Sequence, residues 1–127
     1  MKITKQYLEE RFLEYNSLYF NGILKKPQFL FKTNKDGVVA KFRYSKDGKK
    51  KHSPKIYINK CIVWDEDSLK NVLLHEMVHY YVVFVENYDG LFSHGFRFRR
   101  KVREIKKNFG FTINISYKDL KYKGEAK

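Results

Sequence analysis

The segment from Leu74 to His79 holds the residues best suited to chemistry, because it reads H-E-x-x-H inside a long apolar run. On a helix, residues i and i+4 share a face, so His75 and His79 can offer two imidazole nitrogens to one metal ion. Glu76 lies beside them, where its carboxylate can reach a water molecule activated by that ion. This combination is typical of zinc metallopeptidases.

A catalytic zinc ion usually has three protein ligands, so a third ligand is expected from another part of the chain. The downstream candidates are Glu86, Asp89, His94 and Glu104. His94 is the best of them, since it follows a glycine-containing reversal and Gly95 permits a close backbone approach. Glu104 lies among basic residues and is expected to pair with them, and His52 lies in a charged loop where it is expected to be solvated.

The elements that position these residues are predicted from periodicity. Apolar residues recur at helical spacing in residues 4–20, from Asp65 or Asp67 to about residue 87, and in residues 94–109, where Ser93 can cap. Alternation predicts strands at residues 28–33, 38–44, 55–59 and 111–115, with a basic loop at 45–54. The middle helix is apolar nearly all round, which predicts a buried, central helix. Polar groups inside it require a partner, either a zinc ion or a structural hydrogen-bond network.

The chain is strongly basic, with 27 basic and 14 acidic residues and a net charge of +13. Charge of this size attracts polyanions, and nucleic acid is the commonest such partner. The predicted nucleic-acid-binding residues lie in the basic loop and on the last helix: Lys49, Lys50, Lys51, Arg99, Arg100, Arg103 and Lys107. The alternative is a solvated, lysine-rich surface that only keeps the protein soluble.

The composition also narrows the expected location. No apolar run approaches the roughly 18 residues needed to span a membrane, and we expect no secretory signal before the first helix. The lone Cys61 cannot form an internal disulfide, which favours a reducing compartment. We therefore expect a cytoplasmic protein. If it associates with DNA, it would lie at the nucleoid. We also expect the protein to be a monomer.

Two motifs together resemble those of a known family. The H-E-x-x-H segment is followed, after fourteen residues, by His94-Gly95-Phe96-Arg97-Phe98. This pair resembles the H-E-x-x-H and H-G-x-x-F motifs of the SprT-like metallopeptidases, a family that includes the Spartan protease domain. The stretch of residues 15–24, YNSLYFNGIL, is similar to the opening helix and turn of that family. The resemblance covers roughly residues 7–116.

The resemblance implies a compact, zincin-like (minigluzincin-type) α+β fold, in which a small, mainly antiparallel sheet packs on the H-E-x-x-H helix. It implies one Zn²⁺ ion held by His75, His79 and His94, with Glu76 as the catalytic base. We expect residues 1–127 to form one domain, with a core at 4–116 and a basic tail at 117–127. Because there is only one cysteine, we expect the cysteine-rich zinc ribbon of many relatives to be absent.

Three functions are compatible with these features. The first is a zinc metalloprotease that hydrolyses peptide bonds of DNA-bound or DNA-crosslinked proteins, as Spartan-type relatives do. The others are a nucleic-acid-binding module with a structural zinc ion, and a zinc peptidase whose substrate has no link to DNA. An extended substrate is expected to pair with a strand edge near residues 38–44. Tyr80, Tyr81 and Tyr88 are candidates for stabilising the oxyanion, and the sequence does not choose among them.

Overall fold

Three helices and a three-stranded sheet build the part of the chain that the computed structural model describes, residues 1–117 and 119–124. Their order is α1 (Lys5–Tyr19), β1 (Gln28–Lys32), β2 (Ala40–Asp47), β3 (Lys50–Asn59), α2 (Glu66–Phe84) and α3 (Phe96–Phe109). The predicted α+β class is confirmed. Within the described ranges, none of the helices combines the length and apolarity needed to cross a membrane.

Helix α1 begins and ends close to its predicted bounds. The hydroxyl of Thr4 accepts a hydrogen bond from the backbone N–H of Tyr7 at 3.0 Å, which caps the first turn. At the other end, the amide of Asn16 is buried. It bonds both backbone groups of Leu24, at 2.7 and 3.1 Å, so that the chain reverses tightly toward β1.

The sheet has the order β1-β3-β2, with β1 parallel to β3 and β2 antiparallel to β3. It is therefore mixed, and the antiparallel pairing is the longer of the two. One face is apolar and packs toward the helices, with Phe29, Ile56 and Phe42 side by side in register. A bulge interrupts the pairing of β2 with β3 after Arg43. On β3, Ser53 lies at this bulge and has a φ of 56°.

The predicted basic loop at residues 45–54 is wrong. Strand β2 continues to Asp47 and β3 begins at Lys50. The segment is therefore a hairpin that turns at Gly48, whose φ is 59°. This arm of the hairpin extends beyond the core, and its residues at 45–50 are all exposed. A strand that is exposed on both faces lacks the apolar alternation by which strands are identified.

Helix α2 is the buried centre of the fold, as predicted. It begins with a capping box in which Asp65 accepts from the backbone N–H of Ser68 at 2.7 Å and Ser68 accepts from that of Asp65 at 3.1 Å. Two successive turns of the helix are fully buried at four positions, Leu73, Leu74, Met77 and Val78. The helix ends at Phe84, three residues before the predicted end.

Helix α3 starts later than predicted and its N-cap is Gly95, without a side-chain cap, so the predicted role of Ser93 is wrong. Phe98, Val102 and Ile105 are buried as expected, whereas Phe109 is 51% exposed. Gly110 ends the helix with a φ of 74°.

The strand predicted at residues 111–115 does not form. Instead, the side chain of Asn71 on α2 donates to Thr112 O at 3.0 Å and accepts from Asn114 N at 2.8 Å. The backbone of this segment is thus held by a helix side chain rather than by a strand, which brings the residues that follow it over α2.

Candidate active site

Three imidazoles converge at the middle of α2. His75 and His79 lie one turn apart, and their Nε2 atoms are 3.2 Å from each other. Nε2 of His94 lies 3.1 Å from that of His75 and 3.0 Å from that of His79. Tetrahedral zinc with Zn–N distances of about 2.0–2.1 Å places its nitrogen ligands about 3.3 Å apart. The triangle is therefore close to the size at which three imidazoles can bind one metal ion.

The three imidazoles favour the neutral form, which is the form that binds a cation. Nδ1 of His75 donates to the carbonyl of Asn114 at 2.8 Å, which leaves its Nε2 with a free lone pair facing the other rings. Burial lowers the pKa of His75 to about 4 and that of His79 to about 3, and it also lowers the pKa of His94. Neutral imidazoles that converge on one point present lone pairs to it, and a metal ion satisfies them.

The ring of Phe98 forms the floor beneath this triangle. Its centroid lies 4.9 Å from that of His75, 4.6 Å from that of His79 and 4.9 Å from that of His94. The residue is only 1% exposed. Phe98 therefore packs α3 against both segments that carry the histidines. This contact explains why the second motif, H-G-x-x-F, contains a phenylalanine at this position.

The position of His94 depends on a tight turn before α3. The backbone N–H of Gly95 donates to Phe92 O at 3.0 Å, and a Cβ at Gly95 would lie 3.0 Å from both Phe92 O and Phe92 Cβ. Only glycine fits there without a shift of the turn. The guanidinium of Arg99 donates to His94 O at 2.9 Å and holds the turn from the helix side.

The histidines open into a cleft of about 490 Å³ that also contains Glu76. Its walls come from β2, from α2, from the segment between α2 and α3, and from the segment after α3. The lining residues are Ala40, Lys41, Phe42, Tyr44, His75, Glu76, His79, Val82, Val83, Tyr88, Asp89, Gly90, Ser93, His94, Ile115 and Tyr117.

The sequence model of the SprT-like family matches residues 8–119, which is most of the chain. The chain belongs to the SprT-like family. The resemblance drawn from the two motifs is thereby confirmed, and no curated protein sequence matches the chain. SprT-like proteins are metal-dependent, and membership supports a metallopeptidase-type domain. The clustered histidines and the small α+β fold agree with a zincin-like arrangement.

Glu76 of this SprT-like domain is almost completely buried, with 3% of its surface exposed. Burial raises the pKa of its carboxyl group to about 8, while a hydrogen bond from the hydroxyl of Tyr117 opposes that rise. A cation held by the three neighbouring imidazoles would oppose it further. The Tyr117 hydroxyl lies 3.3 Å from Oε2 of Glu76, and its ring centroid is 4.9 Å from that of His75.

Tyr117 was missed by sequence reasoning, which assigned it to the basic tail. The three tyrosines considered instead have different surroundings. The hydroxyl of Tyr80 donates to Lys25 O at 2.8 Å, outside the cleft, and Tyr81 packs against Phe20. Tyr88 lines the cleft.

The acidic candidates for a third ligand are engaged elsewhere. Glu86 pairs with Arg97 at 3.5 Å and with Arg100 at 3.0 Å. Asp89 pairs with Lys46 at 2.7 Å, and Glu104 pairs with Lys101 at 3.0 Å, as expected from its basic surroundings. Of the four candidates, the structure brings only His94 to the other histidines.

The predicted nucleic-acid-binding residues lie on two elements, the β2–β3 hairpin and α3. Several of them already bond to the protein itself: Lys51 donates to Asn87 at 2.6 Å, Arg99 to His94, and Arg100 to Glu86. The side chains at positions 49, 50, 103 and 107 are exposed. His52 bonds to Ser53 and Asp47 at 2.8 Å each, away from the histidine cluster.

Proposed function

We propose that this SprT-like protein is a zinc-dependent endopeptidase whose single Zn²⁺ ion is held by His75, His79 and His94. The observation that carries the proposal is the triangle of Nε2 atoms at 3.0, 3.1 and 3.2 Å, which opens into the same cleft as the carboxyl group of Glu76. A zinc ion supplies Lewis-acid activation of a water molecule and of the scissile carbonyl.

Glu76 is the proposed general base. Its carboxylate takes the proton of the attacking water and delivers it to the nitrogen of the leaving amine, so that one group serves both halves of the reaction. Tyr117 is a positioning residue in this scheme, because its hydroxyl holds Oε2 of Glu76 and restricts rotation of the carboxylate.

Strand β2 is the proposed binding edge for the substrate. It is the last strand in the order β1-β3-β2, and four of its residues, Ala40, Lys41, Phe42 and Tyr44, line the cleft. An extended peptide that pairs with such an edge is held by main-chain hydrogen bonds, independently of its sequence. The scissile bond would then lie between β2 and α2, beside the histidines.

We propose that the substrates are proteins bound or crosslinked to DNA. We also propose that the enzyme is located in the cytoplasm, where such substrates lie on the nucleoid. The net charge of +13 supports this class, since it concentrates the enzyme on polyanions. We propose that the enzyme acts as a monomer, since the three histidines and Glu76 of a single chain are sufficient to form the proposed site.

The decisive experiment is a cleavage assay with zinc-loaded protein and a DNA-binding protein as substrate. It compares no DNA, single-stranded DNA and duplex DNA. Glu76→Gln is assayed beside the wild type, and Glu66→Gln serves as a matched control, because Glu66 is an exposed acid in the first turn of the same helix. Zinc content is measured for every sample.

DNA-stimulated cleavage that is lost in Glu76→Gln and kept in Glu66→Gln is the expected result. Cleavage without any effect of DNA would retain the peptidase and refute the DNA-linked substrate. DNA binding with no proteolysis, equal in wild type and Glu76→Gln, would refute the peptidase and favour a binding module with a structural zinc ion. Full activity of zinc-loaded Glu76→Gln would refute the role of Glu76.

A further inference from the structure

The face of the sheet that points away from the helices carries a compact group of cations. In register, Gln28, Lys55 and Arg43 lie side by side on β1, β3 and β2, and so do Leu30, Tyr57 and Lys41. These six residues, here called the outer sheet face, alternate with the core residues Phe29, Ile56 and Phe42, so they lie on the opposite side. Arg43 is exposed, and Lys41, Lys55 and Tyr57 are half-buried.

The three cations of this face repel one another. Arg43 and Lys55 are directly opposite across the antiparallel pair, where like charges destabilise a sheet. The ammonium of Lys41 lies 4.7 Å from the ring centroid of Tyr57. Desolvation, and then the charges of Arg43 and Lys32, lower the pKa of Lys41. An anion bound between these side chains would relieve the repulsion.

No carboxylate neutralises Lys41, Arg43 or Lys55 within salt-bridge distance in residues 1–117 and 119–124. The next cation along β1, Lys32, pairs with Asp36 at 2.9 Å. Among the basic residues predicted from the sequence to bind nucleic acid, Arg100 on α3 bonds to an acid of the protein, Glu86. The outer sheet face therefore keeps its charge available for a ligand.

From this juxtaposition we infer that the outer sheet face binds single-stranded nucleic acid. Lys41, Arg43 and Lys55 contact successive phosphates, and Tyr57 at their centre stacks with a base once the ammonium of Lys41 moves to a phosphate. Aromatic side chains among cations on a flat surface recognise single strands, whose bases are free to stack, whereas the bases of a duplex are already paired. The contacts are to phosphates and base faces, so the binding tolerates any sequence.

This surface adjoins the cleft through one strand. Lys41 belongs to the outer sheet face and also lines the cleft, next to Phe42 and Tyr44 on the inner side of β2. A strand of nucleic acid on the outer face would present a protein attached to it at the entrance to the cleft. The inference deepens the proposed function, but the binding itself requires neither zinc nor Glu76, so it can fail or succeed separately.

The test measures binding of a fluorescein-labelled oligothymidine of about 10 nucleotides as a function of salt, by anisotropy. The variant Lys41→Gln/Arg43→Gln/Lys55→Gln is compared with Lys2→Gln/Lys5→Gln/Lys106→Gln. The second variant removes the same charge from exposed residues that belong neither to the outer sheet face nor to the residues predicted from the sequence to bind nucleic acid. Tyr57→Leu and Tyr57→Phe test stacking, duplex of the same length tests strandedness, and thermal unfolding verifies the fold.

For the sheet-face variant, the slope of log Kd against log salt should fall by about 2, since each phosphate contact on a single strand contributes about 0.7. The control variant should keep nearly the wild-type slope, and Tyr57→Leu should weaken binding about tenfold while Tyr57→Phe does not. Because Arg43 and Lys55 repel each other, the sheet-face variant should unfold at the same or a higher temperature than wild type.

Equal losses in the two charge variants would mean that only overall charge matters, and would overturn the inference. A larger loss in the control variant, or no binding by the wild type, would overturn it as well. Tighter binding of the duplex than of the single strand would refute the assignment to single strands. None of these outcomes depends on whether the protein cleaves peptides.

Discussion

The hydroxyl of Tyr117 donates a hydrogen bond to Oε2 of Glu76 across 3.3 Å, although 41 positions separate the two residues in the chain. The contact exists because Asn71 fixes the backbone at residues 112 and 114 and so directs the following residues over α2. The carboxyl group that is proposed as the base is thus held from outside its own helix.

Replacing Tyr117 with phenylalanine should lower kcat about tenfold, equivalent to about 1.4 kcal/mol, because the carboxylate of Glu76 loses its orienting hydrogen bond. Zinc content should stay unchanged, since the Tyr117 hydroxyl bonds to Glu76 and not to a histidine nitrogen. Steady-state kinetics on a peptide substrate measures the change. Tyr80→Phe is the matched control, because it removes a hydroxyl that bonds to Lys25 O outside the cleft. Equal kcat values for Tyr117→Phe and wild type would show that the hydrogen bond has no role in catalysis.

The histidine cluster was predictable from the sequence, whereas Tyr117 was not. His75 and His79 are fixed by the helical repeat, and His94 by its place at a glycine-containing turn, so local rules were sufficient. Tyr117 reaches the site through a segment without regular structure, and no periodic pattern reports where such a segment goes.

In the sheet, too, some features were predictable from the sequence and others were not. Strands β1 and β3 were identified where one face is buried, because burial imposes alternation. The hairpin arm at residues 45–54 was mistaken for a loop, since it projects from the core and its pairing depends on the turn at Gly48. The parallel pairing of β1 with β3 is a tertiary relationship that no local pattern specifies.

Replacing Phe98 with alanine should lower the free energy of unfolding by about 3–5 kcal/mol, because it opens a cavity beneath all three imidazoles. Zinc affinity should fall with it, since Phe98 contacts the rings of His75, His79 and His94. Urea denaturation and competition with a zinc chelator measure the two effects. Phe96→Ala is a matched control in the same turn, with a side chain that is 69% exposed, and should change stability by less than about 1 kcal/mol. Similar losses for the two variants would contradict the role of Phe98 as the floor of the site.

A Gly95→Ala substitution should weaken zinc binding about tenfold while the fold is retained. The added Cβ would lie 3.0 Å from Phe92 O, so the turn must shift and carry His94 away from the other ligands. Gly110→Ala is the comparison, because it places alanine at a φ of 74° with no atom within 4 Å of the new Cβ. It should lower stability by about 1 kcal/mol without altering zinc affinity. Unchanged zinc affinity in Gly95→Ala would show that the turn adapts without moving His94.

The N-cap of α2 makes stability depend on pH in a defined direction. Hydrogen bonds from the backbone and side chain of Ser68 lower the pKa of Asp65 below its ordinary value of 3.8. Since the folded-state pKa lies below the unfolded one, the charged cap stabilises the protein fully above about pH 4. That contribution is lost as the pH falls through the folded-state pKa. Asp65→Ala should therefore lower the free energy of unfolding by about 1 kcal/mol at neutral pH, and by less at pH values near 3.

Urea denaturation of Asp65→Ala and wild type at both pH values measures this difference, and effects of acid that the two proteins share cancel in it. Asp67→Ala tests whether the effect is specific to the cap. Asp67 is an exposed acid in the first turn, so it interacts only with the helix dipole and should contribute about 0.3–0.5 kcal/mol. A penalty for Asp65→Ala that is the same at both pH values would mean that the neutral carboxyl caps as well as the carboxylate. In that case, the hydrogen-bond geometry would stabilise the start of the helix that carries His75, Glu76 and His79, and the charge of Asp65 would not.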